Sequence, residues 1–110
     1  MPLFTSRAVE DVLVERQRQI DRKGYTAAHD DVHGDYSLSR AALCYVLCAG
    51  VCDAVTGGAV ETVTTIADLE LWPWPGSFKP RSSRDNLIRA AALILAEIER
   101  LDREVSPLAH

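Results

Sequence analysis

The chain has 110 residues, with 12 Lys and Arg against 16 Asp and Glu and a formal charge of -4. This length predicts one domain over residues 1–110 that can bury a core of its own, and the acidic balance argues against a general nucleic-acid binder. The sequence shows neither a secretory signal nor an apolar run of roughly 18 residues, which predicts a cytoplasmic chain without a membrane span.

The first predicted element is a helix from about Ser6 to Lys23. Ser6 can cap its first turn, and Gly24 can end it. Glu15 and Gln19 lie one turn apart at the edge of the inward stripe, where a side chain faces either a cleft between helices or solvent. The stripe itself is predicted to contain Val9, Val12, Leu13, Arg16 and Ile20.

The residues from Gly24 to Tyr36 follow neither the helical nor the strand period, which predicts a loop. This loop carries His29-Asp30-Asp31-Val32-His33, the densest group of potential metal ligands and proton carriers in the sequence. The alternative is a polar loop in which Asp30 or Asp31 caps neighbouring amides and both histidines face solvent.

A second helix is predicted from Ser37, as its cap, to about Val55, with Gly57-Gly58 ending it. Apolar residues occur on nearly all of its sides, which indicates the core helix of the domain. Its cysteines occur every fourth residue, a spacing that suits packing better than an intrahelical disulfide. We therefore expect core roles, rather than metal or redox use, for Cys44, Cys48 and Cys52.

The segment from Ala59 to Leu71 fits two structures. Its β-branched residues between Val60 and Ile66 are typical of a strand, but the segment also fits a short helix, which we favour. The following Trp72-Pro73-Trp74-Pro75-Gly76 breaks regular structure and is predicted to expose two indoles in a stiff turn.

The last helix is the clearest predicted element. Ser82 and Asp85 form a capping box at its start, and it is predicted to run to about Arg103, before a tail that frays from about residue 104. Glu97 is predicted on the shoulder of its apolar face, with Arg100 pointing further out. That face comprises Leu87, Ala91, Ile94, Ile98 and Leu101.

Three or four helices without internal repeats predict an all-α fold, a small helical bundle. A chain of this length has little surplus surface to bury. We therefore expect a homo-oligomer.

Carboxylates and imidazoles in this chain suffice in kind and number for a divalent-cation site. Carboxylates favour Mg²⁺, which needs one or two of them together with substrate phosphates and water, whereas histidine ligands favour Mn²⁺, Fe or Zn²⁺. The predicted metal ligands are Glu15, His29, Asp30, Asp31, His33 and Glu97.

A second group of residues is basic and aromatic. Aromatic faces stack on bases, and Arg or Lys near a helix N-terminus binds phosphate, so Lys79 to Arg84 before the last helix is a reasonable phosphate site. The alternative is that the tryptophans hold the turn on the core and the cations face solvent. The predicted ligand-binding residues are Arg16, Gln19, Tyr25, Arg40, Tyr45, Trp72, Trp74, Lys79, Arg84 and Arg89, and Lys23 and Arg81 belong to the same basic group.

The sequence contains no Ser elbow, Gly-rich phosphate loop or Cys-x-x-Cys pair. Covalent hydrolysis, Walker-type ATP binding and structural zinc therefore lose weight. Metal-assisted attack by water is the remaining route to hydrolysis.

A set of short stretches covers nearly the whole chain and forms one pattern. It consists of Glu15-Arg16-Gln17-Arg18-Gln19-Ile20, Lys23-Gly24-Tyr25-Thr26, His29-Asp30-Asp31, Ala41-Ala42 with Tyr45, Trp72-Pro73, Lys79-Pro80, Asp85-Asn86-Leu87-Ile88-Arg89-Ala90 and Ala96-Glu97-Ile98-Glu99-Arg100. This pattern resembles a group of small, mostly uncharacterised proteins of phages and prophages.

More loosely, the layout resembles the all-α nucleotide pyrophosphohydrolases, the MazG-like and dUTPase-like superfamily. The resemblance implies an oligomeric helical protein that cleaves nucleoside triphosphates to monophosphate and pyrophosphate, with Mg²⁺ held by acidic residues on helices. It implies catalytic and metal-binding roles for Glu15, Asp31 and Glu97, and phosphate-binding roles for the basic residues.

Two hypotheses follow. The first is a nucleotide pyrophosphohydrolase that depends on Mg²⁺ or Mn²⁺, in which a carboxylate activates water and Lys79 or Arg84 neutralises developing charge. The alternative is a non-enzymatic phage protein that binds and sequesters a nucleotide signal of host defence. A purely structural accessory protein is the third reading.

Overall fold

The computed structural model describes residues 6–24, 27–31, 36–49, 57–74 and 76–105, except for the side chains at 29, 31, 57–61, 68 and 105. These ranges form helices α1 (Arg7–Lys23), α2 (Ala27–Asp31), α3 (Ser37–Cys48), α4 (Gly57–Asp68) and α5 (Ser83–Val105). The described ranges hold no strand, so the predicted all-α class is confirmed. Within the same ranges, each helix is too short or too polar to cross a lipid bilayer.

Helix α5 is the centre of the fold. Helices α1, α2 and α3 pack against it, whereas α4 packs against α3. Alanine occupies four of the seven core positions that α3 and α5 share, which lets the two helix backbones approach closely. These positions are Leu38, Ala41, Ala42, Tyr45, Ala90, Leu93 and Ala96.

The ends of α1 follow from two residues. The Ser6 hydroxyl accepts a hydrogen bond from the backbone N–H of Val9 at 3.2 Å, which caps the helix. Gly24 then adopts a left-handed φ of 73°, a conformation open to glycine at little cost, and the helix ends. Both predicted ends of this helix are confirmed, but Leu13, predicted to face inward, is exposed.

The predicted loop between Gly24 and Tyr36 is wrong in part, because Ala27–Asp31 forms the short helix α2. Asp30 is fully buried in this helix and pairs with Arg16, whereas the polar-loop alternative has Asp30 or Asp31 capping neighbouring amides. Residues 25, 26 and 32–35 lie outside the described part of the chain.

Helix α3 begins and ends differently from the prediction. Ser37 is its first helical residue rather than its cap, and Tyr36 occupies the cap position with φ 66° and without a side-chain hydrogen bond. The helix ends at Cys48, and residues 50–56 lie outside the description. Gly57-Gly58 begins α4 instead of ending the preceding helix, and the favoured helix after it is confirmed.

The cysteines and tryptophans have packing roles. Cys44 and Cys48 are buried thiols, and they form a second apolar cluster with Ile66, as expected for core residues. Cys52 lies outside the described residues. Trp72 and Trp74 are partly buried against the core, so the predicted exposure of the two indoles is wrong.

Helix α5 begins as predicted, because the Ser82 hydroxyl accepts a hydrogen bond from the backbone N–H of Asp85 at 3.3 Å. Its buried face differs from its most apolar face. The helix buries the polar residues Asn86, Glu97 and Arg100. Three of the large apolar residues on the predicted inward face are instead exposed. Arg100, expected to point outward, is 3% exposed. The exposed large members are Leu87, Ile94 and Ile98.

Candidate functional site

A cavity of about 130 Å³ lies where α1, α3 and α5 meet the segment that connects α4 to α5 (residues 69–82, the connecting segment). Helix α1 contributes residues spaced by three, four and eight positions, which share one helix face. We call this site the cationic cavity. Its lining residues are Glu15, Arg18, Gln19 and Lys23 of α1, Tyr45 of α3, Trp72, Ser77, Lys79 and Arg81 of the connecting segment, and Arg89 and Leu93 of α5.

The lining carries far more positive than negative charge. Five cationic side chains and one carboxylate face each other across this small volume, a formal charge of +4, whereas the whole chain has a formal charge of -4. Among the residues that the structure describes, the charged groups of Lys23, Lys79 and Arg81 form no ion pair. The fold therefore concentrates cations that it does not neutralise with its own described carboxylates.

One side of the cavity is a hydrogen-bonded network on α1. Arg18 donates from Nε and Nη2 to the two carboxylate oxygens of Glu15, each at 2.7 Å. Gln19 donates from Nε2 to Glu15 Oε2 at 3.2 Å. Gln19 is 3% exposed, and its Oε1 is buried with no hydrogen-bond donor within the described structure. A buried acceptor without a donor is costly, and this one belongs to a residue that lines the cavity.

The turn at the start of the connecting segment is held by hydrogen bonds from Trp72 and Ser77. Trp72 Nε1 donates to the carbonyl oxygen of Trp74 at 2.6 Å and to Ser77 Oγ at 3.0 Å. Ser77 Oγ donates to the same carbonyl at 2.8 Å. Gly76 adopts a φ of 85°, which closes the turn.

Aromatic rings hold this turn against α3. Trp72 meets the Tyr45 ring edge-on at 5.5 Å between centroids, and its centroid is 4.7 Å from that of Phe78. Tyr45 also lies 5.2 Å from Phe78. Tyr45 and Trp72 therefore form part of the cavity wall in the described structure, and Phe78 packs against both of them.

The second half of the connecting segment is tied to α5. The buried Asn86 side chain accepts from the backbone N–H of Arg81 at 2.7 Å and donates to its carbonyl oxygen at 2.9 Å. Arg89 Nη1 donates to the carbonyl oxygen of Lys79 at 2.9 Å, and its guanidinium lies 5.8 Å from the Tyr45 ring centroid. The backbone that carries Lys79 and Arg81 is therefore fixed by α5.

Comparison of the chain with protein-family models, curated proteins and solved structures finds no match. The resemblances drawn from the sequence therefore stay predictions.

The cavity brings together six of the predicted site residues and leaves others elsewhere. Arg16 pairs with Asp30, Arg84 pairs with Asp11 at 2.8 Å, and Arg40 lines a separate groove beside α4. Trp74 supports Trp72 from outside the lining, and Tyr25 lies outside the described residues. The six that line the cavity are Glu15, Gln19, Tyr45, Trp72, Lys79 and Arg89.

The predicted metal ligands do not come together in the described part of the chain. Glu15 binds Arg18, Asp30 Oδ2 lies 2.9 Å from Arg16 Nη2, and Glu97 accepts from Arg100. No three potential ligands form a group among the side chains that are described. These carboxylates therefore do not fit a shared Mg²⁺ or Mn²⁺ site. The side chains of His29 and Asp31, and all of His33, lie outside the description.

Both carboxylate oxygens of Glu97 accept hydrogen bonds from neighbouring side chains. Its Oε1 accepts from Arg100 Nε, and its Oε2 accepts from Ser39 Oγ at 3.1 Å. The hydrogen bond to Glu97 raises the pKa of Arg100 above its ordinary value. The pair lies within α5, the hydrogen bond from Ser39 joins it to α3, and none of the three residues lines the cationic cavity.

Four lining residues are not among the predicted ligand-binding residues. Lys23 belongs only to the predicted basic group, and Arg81 only to that group and the predicted phosphate site from Lys79 to Arg84. Arg18 and Ser77 are in neither prediction. For Arg18 a local pattern is present, because it lies three residues after Glu15 on the same side of the helix. For Ser77 the sequence gives no comparable indication, because its place depends on the fold of the turn.

Proposed function

We propose that the protein binds a phosphorylated small molecule of the nucleotide class in the cationic cavity. The observation that carries this proposal is a formal charge of +4 around about 130 Å³ in a chain whose total is -4. A concentration of one charge sign in a concave site attracts ligands of the opposite sign. An anion would satisfy cations that the described carboxylates leave without an ion pair.

Three cations without an ion pair in the described part of the chain line the cavity from two different elements. Lys23 is on the last turn of α1, whereas Lys79 and Arg81 are on the connecting segment. Arg binds phosphate oxygens through two parallel N–H donors, and Lys binds them as a point charge. Arg81 and the two lysines thus supply the donors for a phosphate or diphosphate group.

The size of the cavity suggests which part of the ligand it holds. At about 30 Å³ per water molecule, its volume of about 130 Å³ corresponds to roughly four waters. A phosphate or diphosphate group fits this space, and the rest of a larger ligand would extend through the opening.

The side chain of Gln19 favours a nucleotide, rather than an inorganic anion, as the ligand of the cavity. Its buried Oε1 needs a hydrogen-bond donor, which a fully ionised phosphate lacks. A ribose hydroxyl or an exocyclic amine would supply that donor.

Binding of the intact ligand is favoured over hydrolysis, because Glu15, Asp30 and Glu97 each pair with a different arginine in the described structure. Retention without chemistry matches the hypothesis of a phage protein that sequesters a signalling nucleotide. Metal-dependent pyrophosphohydrolysis is the second proposal, and one observation favours it: Glu15, a predicted catalytic carboxylate, lines the cationic cavity.

Calorimetric titration with ATP, pyrophosphate and adenosine tests the proposal. We expect ATP and pyrophosphate to bind and adenosine to bind far more weakly, with the same affinities when a chelator is present. Bound ATP should be recovered unchanged after denaturation. If neither phosphate compound binds, or if chelator abolishes binding, metal-free anion binding is wrong.

Paired variants locate the site. Arg81→Gln should weaken ATP and pyrophosphate binding by about tenfold or more, because a hydrogen bond to a charged group contributes about 1.5–3 kcal/mol. Arg22→Gln removes the same charge from an exposed position on α1 outside the cavity, and it should leave both affinities within about twofold. Equal losses in both variants would indicate non-specific attraction.

A separate incubation tests the second proposal. The protein is mixed with nucleoside triphosphates and Mg²⁺ or Mn²⁺, and monophosphate is measured. Product that disappears in Glu15→Gln would establish hydrolysis at this cavity and contradict simple retention of the ligand.

A further inference from the structure

The most apolar face of α5 lies on the surface. Leu87, Ile94 and Ile98 are 49%, 45% and 49% exposed. Together with Ala91 and Leu101 they are spaced alternately by four and three residues, and we call this set the α5 stripe. An apolar repeat averaging 3.5 residues is the pattern by which two helices pack along a common seam.

The exposed apolar surface continues from α5 onto α3. A groove of about 400 Å³ runs between the two helices, with Leu43 and Val46 on one side and Ile94 and Ile98 on the other. Leu47 is also exposed on α3. Clustered large apolar side chains of this kind mark interaction surfaces, whereas single exposed ones do not.

We propose that the α5 stripe and the adjoining α3 groove form the interface of a homodimer, with the two copies of α5 packed antiparallel about a two-fold axis. The partner is a second copy of this chain, because a heptad-like stripe is complementary to itself. This inference does not depend on the proposed function.

The available area matches a small dimer interface. A helix of 23 residues is about 35 Å long and about 10 Å wide, and α3 adds roughly half as much. This surface amounts to roughly 500 Å² in each copy and about 1,000 Å² in the pair, the lower size for a specific interface.

Charge along α5 favours the antiparallel orientation. Arg84 and Asp102 flank the α5 stripe near opposite ends of the helix, each about 60° around the helix from the centre of the stripe. Antiparallel packing places Arg84 of one copy beside Asp102 of the other, whereas parallel packing places like charges together. Arg84 also pairs with Asp11 of its own chain at 2.8 Å, and both side chains of this pair are partly exposed.

The proposed interface and the cationic cavity lie on different sides of α5. Successive helical residues are about 100° apart, which places the centre of the stripe about 120° around the helix from Leu93 in the cavity lining. Dimerisation would therefore leave the cavity open, and loss of one property would not remove the other.

Light scattering coupled to size-exclusion chromatography, on the full chain over a wide range of concentrations, tests the dimer. We expect twice the 12.1 kDa chain mass. Ile94→Glu combined with Ile98→Glu should give the monomer mass with an unchanged helical circular dichroism spectrum. Val14→Glu, at a position on α1 that is 67% exposed, should remain dimeric. A wild-type mass of 12.1 kDa at every concentration overturns the proposal, as does dissociation of the Val14→Glu control.

Charge reversal tests the orientation. Arg84 lies three residues before Leu87 on the same face, and Asp102 lies beside Leu101 near the other end of the stripe. In an Asp11→Asn background, which removes the ion pair of Arg84 within its own chain, Arg84→Glu and Asp102→Lys should each weaken the dimer by up to about fivefold, and combining them should recover affinity. A double variant weaker than both single variants would overturn the antiparallel arrangement.

Discussion

The cationic cavity and the Arg16–Asp30 pair both include charged residues of α1. The charges of the pair neutralise each other, whereas three cations of the cavity have no ion pair among the described residues. Asp30 is fully buried, and Arg16 lies 2.9 Å from it and 3.3 Å from Glu99. In the cavity, by contrast, Lys23, Lys79 and Arg81 form no ion pair with described residues. The first arrangement joins α1 to α2 and α5, whereas the second leaves charge available to a ligand.

The largest expected effect is on the Arg16–Asp30 side of this comparison. Arg16→Met removes a cation from a buried carboxylate, which should lower the free energy of unfolding by about 3 kcal/mol or more. Denaturant unfolding followed by circular dichroism measures it. Arg7→Met is the matched control, since Arg7 is 83% exposed and pairs with Asp11 at 3.6 Å, and it should change stability by less than about 1 kcal/mol. Equal stability of the two variants would break the comparison.

The next effect concerns ligand binding without loss of stability. Gln19→Leu removes the buried Oε1 that has no described donor, which stabilises the fold, and the hydrogen bond from Nε2 to Glu15, which destabilises it. Because the two effects oppose each other, the free energy of unfolding should change little. Affinity for ATP should fall by roughly threefold to tenfold, whereas affinity for pyrophosphate should not change. Calorimetry of both ligands measures the difference. An equal loss for both ligands would show that Gln19 acts on the cavity as a whole.

The apolar cluster of Cys44, Cys48 and Ile66 adds a third environment to this comparison, one in which burial disfavours an ionised side chain. Burial raises the pKa of the Cys44 thiol from 9.0 to about 11. Between these values the unfolded chain releases the thiol proton while the folded chain keeps it, so stability should fall as pH rises from about 9 to about 11. We expect a loss of about 1 kcal/mol at pH 10, which Cys44→Ala should not show. Identical pH profiles in unfolding experiments would refute this assignment.

The smallest effect tests the one carboxylate in the cavity lining. Glu15→Gln raises the formal charge of the lining from +4 to +5 and releases Arg18 from its ion pair. Pyrophosphate affinity should rise by about threefold at low salt, and the gain should shrink as ionic strength increases. Glu10→Gln, on the same helix and exposed, provides the control. A loss of affinity would indicate that Glu15 positions Arg18 for the ligand.

Local interactions made much of the fold predictable. The Ser6 cap, Gly24 and the Ser82 box act within a few residues of chain, and each marks the helix end that the structure has. Gly57-Gly58 was misread, because a glycine pair marks a boundary without saying on which side the helix lies. The inward face of α5 was obscured because the burial of Asn86 and Glu97 depends on Arg81 and Ser39, which lie in other parts of the chain.

The kinds of residue in the candidate site were predictable from the sequence, but which of these residues come together in the cavity was not. The basic and aromatic group contains Tyr45, Trp72, Lys79 and Arg89, all of which line the cavity. It also contains Arg16, which helical spacing alone does not separate from Arg18. Which arginine binds a distant carboxylate and which faces the cavity depends on the position of α2, and no local pattern encodes that position.

The two hydrogen bonds between Asn86 and the backbone of Arg81 have a consequence for the entropy of binding. Ordering one residue of backbone costs roughly 1–2 kcal/mol, and this cost would fall on the ligand if the wall formed only in its presence. Because Asn86 already holds the backbone of Arg81, that cost belongs to folding instead. A cavity large enough for only a small anion has few contacts to offer, so a preorganised wall lets those contacts contribute to affinity.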